Sequence, residues 1–381
     1  MKAHHPCIYL DYAATTPVDP AVIQTMNHCM SFDGSFGNAA SVYHPFGWDS
    51  AELIDGAKVQ VAKLIGATPS ELVFTSGATE SINLALKGLA LHPDNSKRHI
   101  ITSATEHKAV LDVCAFLEQK GLSITYLTPD QQGIINKDQV FSAMRHDTLL
   151  VSLMHVNNET GVIQNITEIG ELCRSKSVLF HVDAAQSAGK LSIDVKHSNV
   201  DLLSLSAHKF YGPKGVGALF ICRGLPTHLS PMIHGGGHQK GMRSGTLPTQ
   251  QIVGLGKACE IAMERMDADL NITQAHYDRV VDAVSGLFGV IINGDQDRHY
   301  PGILNISFPG RDSEELMMRL KRFAVSSGSA CSSADRKPSH VLLAMGCSAD
   351  LAHSSLRISF GRYTSEEDVK YLIQALSALF P

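Results

Sequence analysis

Short apolar runs alternate with helical patterns through the middle of the chain. The runs read as strands at 71–75, 99–102, 123–127, 149–154, 178–183, 202–206 and 216–222. Helical spacing fills the gaps at 79–90, 107–120 and 166–175, and another helix is expected at 50–65, before the first strand. This alternation predicts an α/β fold, with a mostly parallel seven-stranded sheet covered by helices on both faces.

The glycine-rich stretch 235–245 interrupts the pattern, and a long helix is expected from about Thr249. Beyond it the tail reads strand (303–308), helix (313–323), loop (326–337), helix, strand (356–360), helix. That order suits a smaller α+β domain, against which the first dozen residues can pack. The expected division is a large domain over 16–257 and a small one built from 1–15 and 258–381.

Length and charge narrow the classes. With 381 residues, 44% of them hydrophobic, the chain can bury a large core. Its formal charge of −5 comes without any long basic run, so no nucleic acid or anionic membrane is expected as a partner. No apolar run approaches the ~20 residues that span a bilayer. The polar start, Met1 to Pro6, has the pattern of neither a signal nor a transit peptide, and a cytoplasmic protein is expected. Eight cysteines form no C-x-x-C pair and no zinc-like spacing, so no intrinsic metal site is expected. Cys114, Cys173, Cys222 and Cys259 sit in apolar patterns and read as buried small hydrophobes.

Several segments carry candidate chemistry at strand ends. Ser76-Gly77-Ala78-Thr79-Glu80 follows a strand and opens a helix, which fits either an anion site or a plain helix cap. Asp183 ends an apolar strand, where a carboxylate either caps the next helix or meets a cation such as a protonated pyridine nitrogen. Lys209 lies between a strand end and a glycine-rich turn, where an amine can form a Schiff base with an aldehyde cofactor. His107 begins a helix, where its ring either stacks on a planar cofactor or serves as a cap. Asn157-Asn158-Glu159-Thr160-Gly161 also ends a strand with polar groups. These positions fall at the carboxyl ends of successive strands, where open α/β sheets place ligands. Cys331, in Ser326-Ser327-Gly328-Ser329-Ala330-Cys331-Ser332-Ser333-Ala334, is flanked by small residues that leave its thiol uncrowded, which fits a reactive thiol better than an inert surface cysteine.

At these residues the chain closely resembles the cysteine desulfurases, within the fold-type-I pyridoxal-phosphate (PLP) family that also holds the class V aminotransferases. The resemblance runs nearly end to end, through YLDYAATTP at 9–17, SGATES, TEHKAV, HVNNETG, HVDAAQ, SAHKFYGPKG, HGGGHQKGMRSGT, SSGSAC and LAHSSLR at 351–357. The SSGSAC segment resembles the branch that serves iron–sulfur assembly. Carried over by motif, the resemblance makes Lys209 the Schiff-base lysine, pairs Asp183 with the pyridine nitrogen and Gln186 with the ring hydroxyl, and stacks His107 on the ring. It implies that Ala78, Thr79, Ser206 and His208 hold the phosphate and that Thr246 reaches the phosphate of a neighbouring subunit in a homodimer. Asn158 and Arg357 would hold the substrate carboxylate, and Cys331 would be the persulfide nucleophile.

The implied activity converts L-cysteine to L-alanine and leaves the sulfur on Cys331 for an iron–sulfur scaffold or another acceptor protein. Cys331 could then transiently share a cluster with that scaffold. Many relatives of this branch continue into a tail that docks the scaffold. This chain stops at Pro381, which leaves the acceptor open. A selenocysteine lyase, a class V aminotransferase and an inactive subunit of an assembly complex are the alternatives. An aminotransferase would not need Cys331, and an inactive subunit would not need an intact lysine, acid and nucleophile.

Overall fold

The computed structural model describes residues 7–225, 227–287, 289–327 and 337–379. The chain enters through a two-residue strand, β1 (Ile8–Tyr9), and then helices α1 (Pro20–His28) and α2 (Pro45–Leu64). The α/β region follows as β2 (Leu72–Thr75), α3 (Ala78–Ala90), β3 (His99–Ser103), α4 (Lys108–Gln119), β4 (Ser123–Leu127) and α5 (Lys137–Ala143). It continues as β5 (Thr148–Met154), α6 (Ile166–Ser175), β6 (Leu179–Asp183), β7 (Leu202–Ser206) and β8 (Gly217–Ile221). These strands form one seven-stranded sheet in the order β2-β8-β7-β6-β5-β3-β4. All its pairings are parallel except those of β8, which runs against both neighbours.

Adjacent residues along each strand divide between two cores. Ile101, Val151, Phe180, Leu203 and Phe220 pack in a core shared with α2 and α6. Ile100, Leu150, Leu179, Leu202 and Leu219, each one residue earlier, pack in a second core with α3 and α4. Side chains alternate across a strand, so a sheet covered on both faces needs continuous apolar runs. Each such side chain contributes roughly 1.5–3 kcal/mol by leaving water.

Helix α7 (Thr249–Ser285) spans 37 residues. Its early residues Ile252, Leu255 and Cys259 lie in the first core, and its late residues Tyr277, Val280 and Val284 lie in a separate one. The sequence-expected division at 257/258 thus falls inside a continuous helix. The second region contains β9 (Ile291–Ile292), β10 (Ile303–Ser307), α8 (Ser313–Arg319) and β11 (Phe323–Ala324). It ends with α9 (His340–Ala344), α10 (Ala349–His353), β12 (Ser355–Ser359) and α11 (Glu366–Ser377). Strands β12, β10 and β9 make an antiparallel sheet, while β1 pairs in parallel with β11. The N-terminal segment therefore joins this region, with Leu10 in its core.

Two expected helix bounds shift for local and non-local reasons. Helix α2 begins at Pro45, earlier than the expected Ser50, because His44 caps it through Gly47 N–H and Pro45 has a φ suited to the first turn. Helix α8 stops at Arg319, before the expected 323, and Phe323 and Ala324 pair instead with β1. No helix among the described residues is long and apolar enough to cross a membrane.

Candidate active site

Because β8 reverses direction and β2 reverses it again, β2 runs parallel to β7, β6, β5 and β3. Their carboxyl ends open at one edge, and the candidate residues gather there. The turn after β2 passes through Gly77 at φ +150°, where a Cβ would meet Ser206 Oγ at 3.5 Å. A Cβ on Gly217 of β8 would come within 2.7 Å of Gly77 Cα, so backbone packs on backbone beneath the turn. Ala78 and Thr79 form the first turn of α3, where helix N–H groups lack intrahelical partners and favour an anion. Glu80 holds the turn by accepting from Ser76 N–H and pairing with Arg243 at 2.9 Å.

Lys209 ends a 3-10 turn that follows β7 directly. Its Nζ donates to the carbonyls of Ala13 at 2.7 Å and Ala14 at 2.9 Å, which ties the N-terminal segment to the strand ends. Asp183 closes β6 and is 4% exposed, with Oδ1 accepting from Ala185 N–H. Burial pushes its pKa up to about 6, against the opposing effects of that N–H and the Lys209 charge. No helix lies between β6 and β7, so the expected helix cap does not form; the carboxylate takes an N–H of its own turn instead, and the Lys209 charge acts on it. His208 bonds Thr15 Oγ1 through Nδ1, and burial followed by Lys209, Lys214 and Lys190 brings its pKa down to about 4.

His107 is the N-cap of α4, with Nδ1 accepting from Ala109 N–H at 3.1 Å. A ring nitrogen that accepts carries no proton, so neutral His107 bears its proton on Nε2. Burial and then the Lys209 charge lower its pKa, which favours this neutral form. Capping and a place near the lysine therefore coexist. Neighbouring Glu106 is fully buried, with Oε1 accepting from Met154 N–H and Oε2 without a partner. Burial raises its pKa well above the usual carboxyl range, with the Asp183 charge adding to the rise.

Arg357 of β12 completes the edge from the second region. Its Nη1 donates to Asn158 O at 2.9 Å, its Nη2 pairs with Asp11 at 2.8 Å, and its buried Nε has no partner. Its backbone also pairs with Ser326, the first residue of the stretch that carries Cys331. Cys331 itself lies outside the described residues. Thr246 is exposed and lines an open pocket with Ser76 and Arg243 of its own chain. Cys114, Cys173 and Cys259 are buried as expected, whereas Cys222 is only partly buried and directs its thiol to Asp201.

Four further residues gather here without having been singled out: Asp11 on Arg357, Glu106 beside Asp183, Glu159 beside Asn158, and Lys190. Asp11 lies in YLDYAATTP, Glu106 in TEHKAV and Glu159 in HVNNETG, so a motif marked all three places. Lys190 donates to Gln186 Oε1 at 2.8 Å, and Gln186 Nε2 donates to Ala13 O at 2.8 Å. No sequence signal marks that lysine.

The chain matches the class-V aminotransferase family over residues 8–372. A cysteine desulfurase IscS of Shewanella woodyi is 56% identical over 370 residues, covering 97% of this chain and 92% of the relative. One from Vibrio vulnificus is 55% identical over 97% of this chain and 91% of its own length. Among solved structures, SspA in complex with cysteine is 40% identical with a TM-score of 0.84, over 94% of this chain and all of that one. Similarity of this depth reaches every strand end described above, and the chain belongs to the class-V aminotransferase family, among its cysteine desulfurases.

Proposed function

We propose that this desulfurase holds PLP at the strand-end edge and passes sulfur from L-cysteine to Cys331. The residues fit the cofactor. The glycine-backed start of α3 suits a phosphate, together with Ala78, Thr79, Ser206 and His208. Asp183 suits a protonated ring nitrogen, Gln186 Nε2 a ring hydroxyl, and the His107 ring a stacking face. Bound there, PLP supplies an aldehyde for Lys209 and a ring that withdraws electrons from the substrate's α-carbon.

The chain's own groups carry the remaining steps. Arg357 and Asn158 hold the cysteine carboxylate, and the partnerless Nε of Arg357 is the donor that the carboxylate can satisfy. Lys209 Nζ moves the α-proton, and Asp183 keeps the ring nitrogen protonated. His107 Nε2 exchanges a proton with the substrate, a role its tautomer allows. The Cys331 thiolate attacks the substrate sulfur: the S–S bond forms, the Cβ–S bond breaks and its electron pair stays on carbon. Protonation then releases alanine, and Cys331 retains the sulfur as a persulfide for an acceptor, in iron–sulfur assembly.

The observation that carries this reading is the position of Lys209, whose charge acts on both Asp183 and His107. Incubating the PLP-loaded chain with L-cysteine and dithiothreitol should give alanine and sulfide in equal amounts. Keto-acid formation without sulfide would favour an aminotransferase instead.

We also read the chain as a cytoplasmic homodimer, with a large unit over 16–257 and a small one from 1–15 and 258–381. Support for the dimer comes from 30–48, where Phe32 is 81% and Tyr43 93% exposed and Phe36, Phe46 and Trp48 are also exposed. Phe36 stacks on Phe32 and meets Phe46 at a tilt, forming an apolar surface of the kind that marks an interface. Thr246, exposed at the end of the glycine-rich stretch, is the group read as reaching the partner's phosphate. Tyr43→Glu with Trp48→Glu should yield a monomer that retains PLP poorly. A fully active monomeric parent would refute the dimer.

A further inference from the structure

Lys190 is a partly buried ammonium that makes no ion pair among the described residues. It lies close enough to Lys209 and Arg357 for their charges to act on it, and its own charge acts on His208. Its Nζ meets Gln186 Oε1 at 2.8 Å and sits 5.3 Å from the centre of the Tyr300 ring. A cation placed among cations is costly, and an apolar side chain would fill this space without that cost. The compensating contacts are the amide oxygen of Gln186 and the face of Tyr300.

We propose that Lys190 is a positioning residue, which locks the Gln186 amide so that an N–H, and not the carbonyl, is presented to the ring hydroxyl of PLP. An ammonium has three donors and no acceptor, while the Ala13 carbonyl only accepts. Between these two partners the amide has one satisfied orientation: Oε1 toward Lys190 and Nε2 toward Ala13 O. Nε2 carries two protons, and the second remains for the cofactor. Without Lys190 the amide can turn over and set its oxygen against a ring oxygen. Burial first, then Lys209 and Arg357, push the Lys190 pKa down to about 7, and an anion entering the site opposes that fall. The charged form is therefore favoured once the phosphate and the substrate carboxylate are in place.

The proposal rests on the reading that this site takes PLP, and a double-mutant cycle separates the two. PLP loss from the loaded dimer is followed by visible absorbance after dilution into a PLP scavenger. The parent, Lys190→Met, Lys190→Arg, Gln186→Ala and the Lys190→Met/Gln186→Ala pair are compared, with thermal melts of each apo form. Lys190→Met should lose PLP about tenfold faster, as expected when a hydrogen bond to a charged group is removed, and Lys190→Arg should restore most of the retention. In the Gln186→Ala background Lys190→Met should add nothing, because there is no amide left to position. Parent-like retention in Lys190→Met, or an equal loss in both backgrounds, would overturn the proposal. If Lys190→Met does not fold, Gln186→Glu answers from the other side. Its carboxylate can pair with Lys190 but offers no N–H, so PLP loss should accelerate while the apo melt holds or rises. Unchanged retention in Gln186→Glu overturns the proposal as well. A parent chain that takes up no PLP would overturn both this inference and the reading beneath it.

Discussion

Ser339, the cap of α9, donates its hydroxyl to Oε2 of Glu159, the residue that follows Asn158. Ser326 pairs with Arg357, so the chain is fastened before Cys331 to one residue read as holding the substrate carboxylate and after it to the neighbour of the other. The fastening carries a proton. Burial pushes Glu159 up to about 7, against the effects of the Ser339 bond and the Arg357 and Lys108 charges. A carboxyl with a raised folded-state pKa favours folding at low pH, and that contribution is lost as pH rises from about 4.5 to about 7. Glu159→Gln is neutral throughout, so the apo variant should gain stability over the parent between about pH 5 and pH 8, by on the order of 3 kcal/mol. Urea unfolding of both chains across that range checks it. A difference that does not change with pH would place the Glu159 proton elsewhere.

Arg357 is held from two sides, by the Asp11 carboxylate and the Asn158 carbonyl. A lysine has one donor group on a flexible stem and cannot span both partners while meeting a carboxylate. Arg357→Lys should raise KM for cysteine about tenfold or more, with a smaller fall in kcat. Asp11→Asn keeps the shape but removes the charge that orients the guanidinium, and should move KM in the same direction by less. Initial rates over a range of cysteine concentrations measure both. A fall in kcat with KM unchanged would mean that Arg357 acts on the reacting atoms instead of on the carboxylate.

The strands were legible because a sheet buried on both faces writes itself as unbroken apolar runs, such as Leu149 to Met154. The starts of α3 and α4 were legible to within one residue of the expected 79 and 107. Helix α1 opens with Asp19 as cap and Pro20 in the first turn, and α5 with a reciprocal Asn136–Gln139 box. Neither helix was expected, although both signals stand in the sequence. The end of α8 was not legible, since Phe323 leaves helical geometry to pair with Ile8, more than three hundred residues away. The site divides in the same way. Lys209, Asp183 and His107 announce themselves by their places at strand ends. Lys190 and Glu106 matter through neighbours that only the folded chain supplies: a glutamine amide for one, a second carboxyl for the other.

Lys209→Ala should end turnover and the covalent hold on PLP, since Lys190, another lysine near the site, is engaged with Gln186. Borohydride reduction of the loaded parent should fix the cofactor mass on the peptide containing Lys209. Fixation on a Lys190 peptide instead would reassign the amine. Asp183→Asn should fold, because an amide oxygen can still accept from Ala185 N–H. It should lose most activity with the charge that keeps a ring nitrogen protonated, a contact worth roughly 1.5–3 kcal/mol when charge-assisted. Near-parental turnover in this variant would assign the role to another group.

Sulfur transfer is proposed to turn on Cys331, and the other cysteines supply its controls. Burial pushes the Cys114 and Cys173 thiols up to about 12 and Cys259 higher still, so near neutral pH these three are thiols and not nucleophiles. Cys222 is likewise raised to about 12, by burial and then by Asp201. A cysteine among serines, glycine and alanines has no such apolar shell in its sequence, and its reference pKa of ~8.5 leaves a useful thiolate fraction. Cys331→Ser should therefore keep the PLP absorbance and the parent's affinity for cysteine, yet release almost no sulfide or alanine. A hydroxyl is far less ionised at this pH and a poorer attacker of sulfur. Cys114→Ala and Cys259→Ala should lower the melting temperature through lost packing and leave sulfur transfer intact. Mass spectrometry of the parent, incubated with cysteine and digested without reductant, should place one additional sulfur on the Cys331 peptide. An additional sulfur on Cys7 or Cys347, or parental sulfide release from Cys331→Ser, would move the nucleophile to another thiol and leave the strand-end site as a lyase or aminotransferase centre.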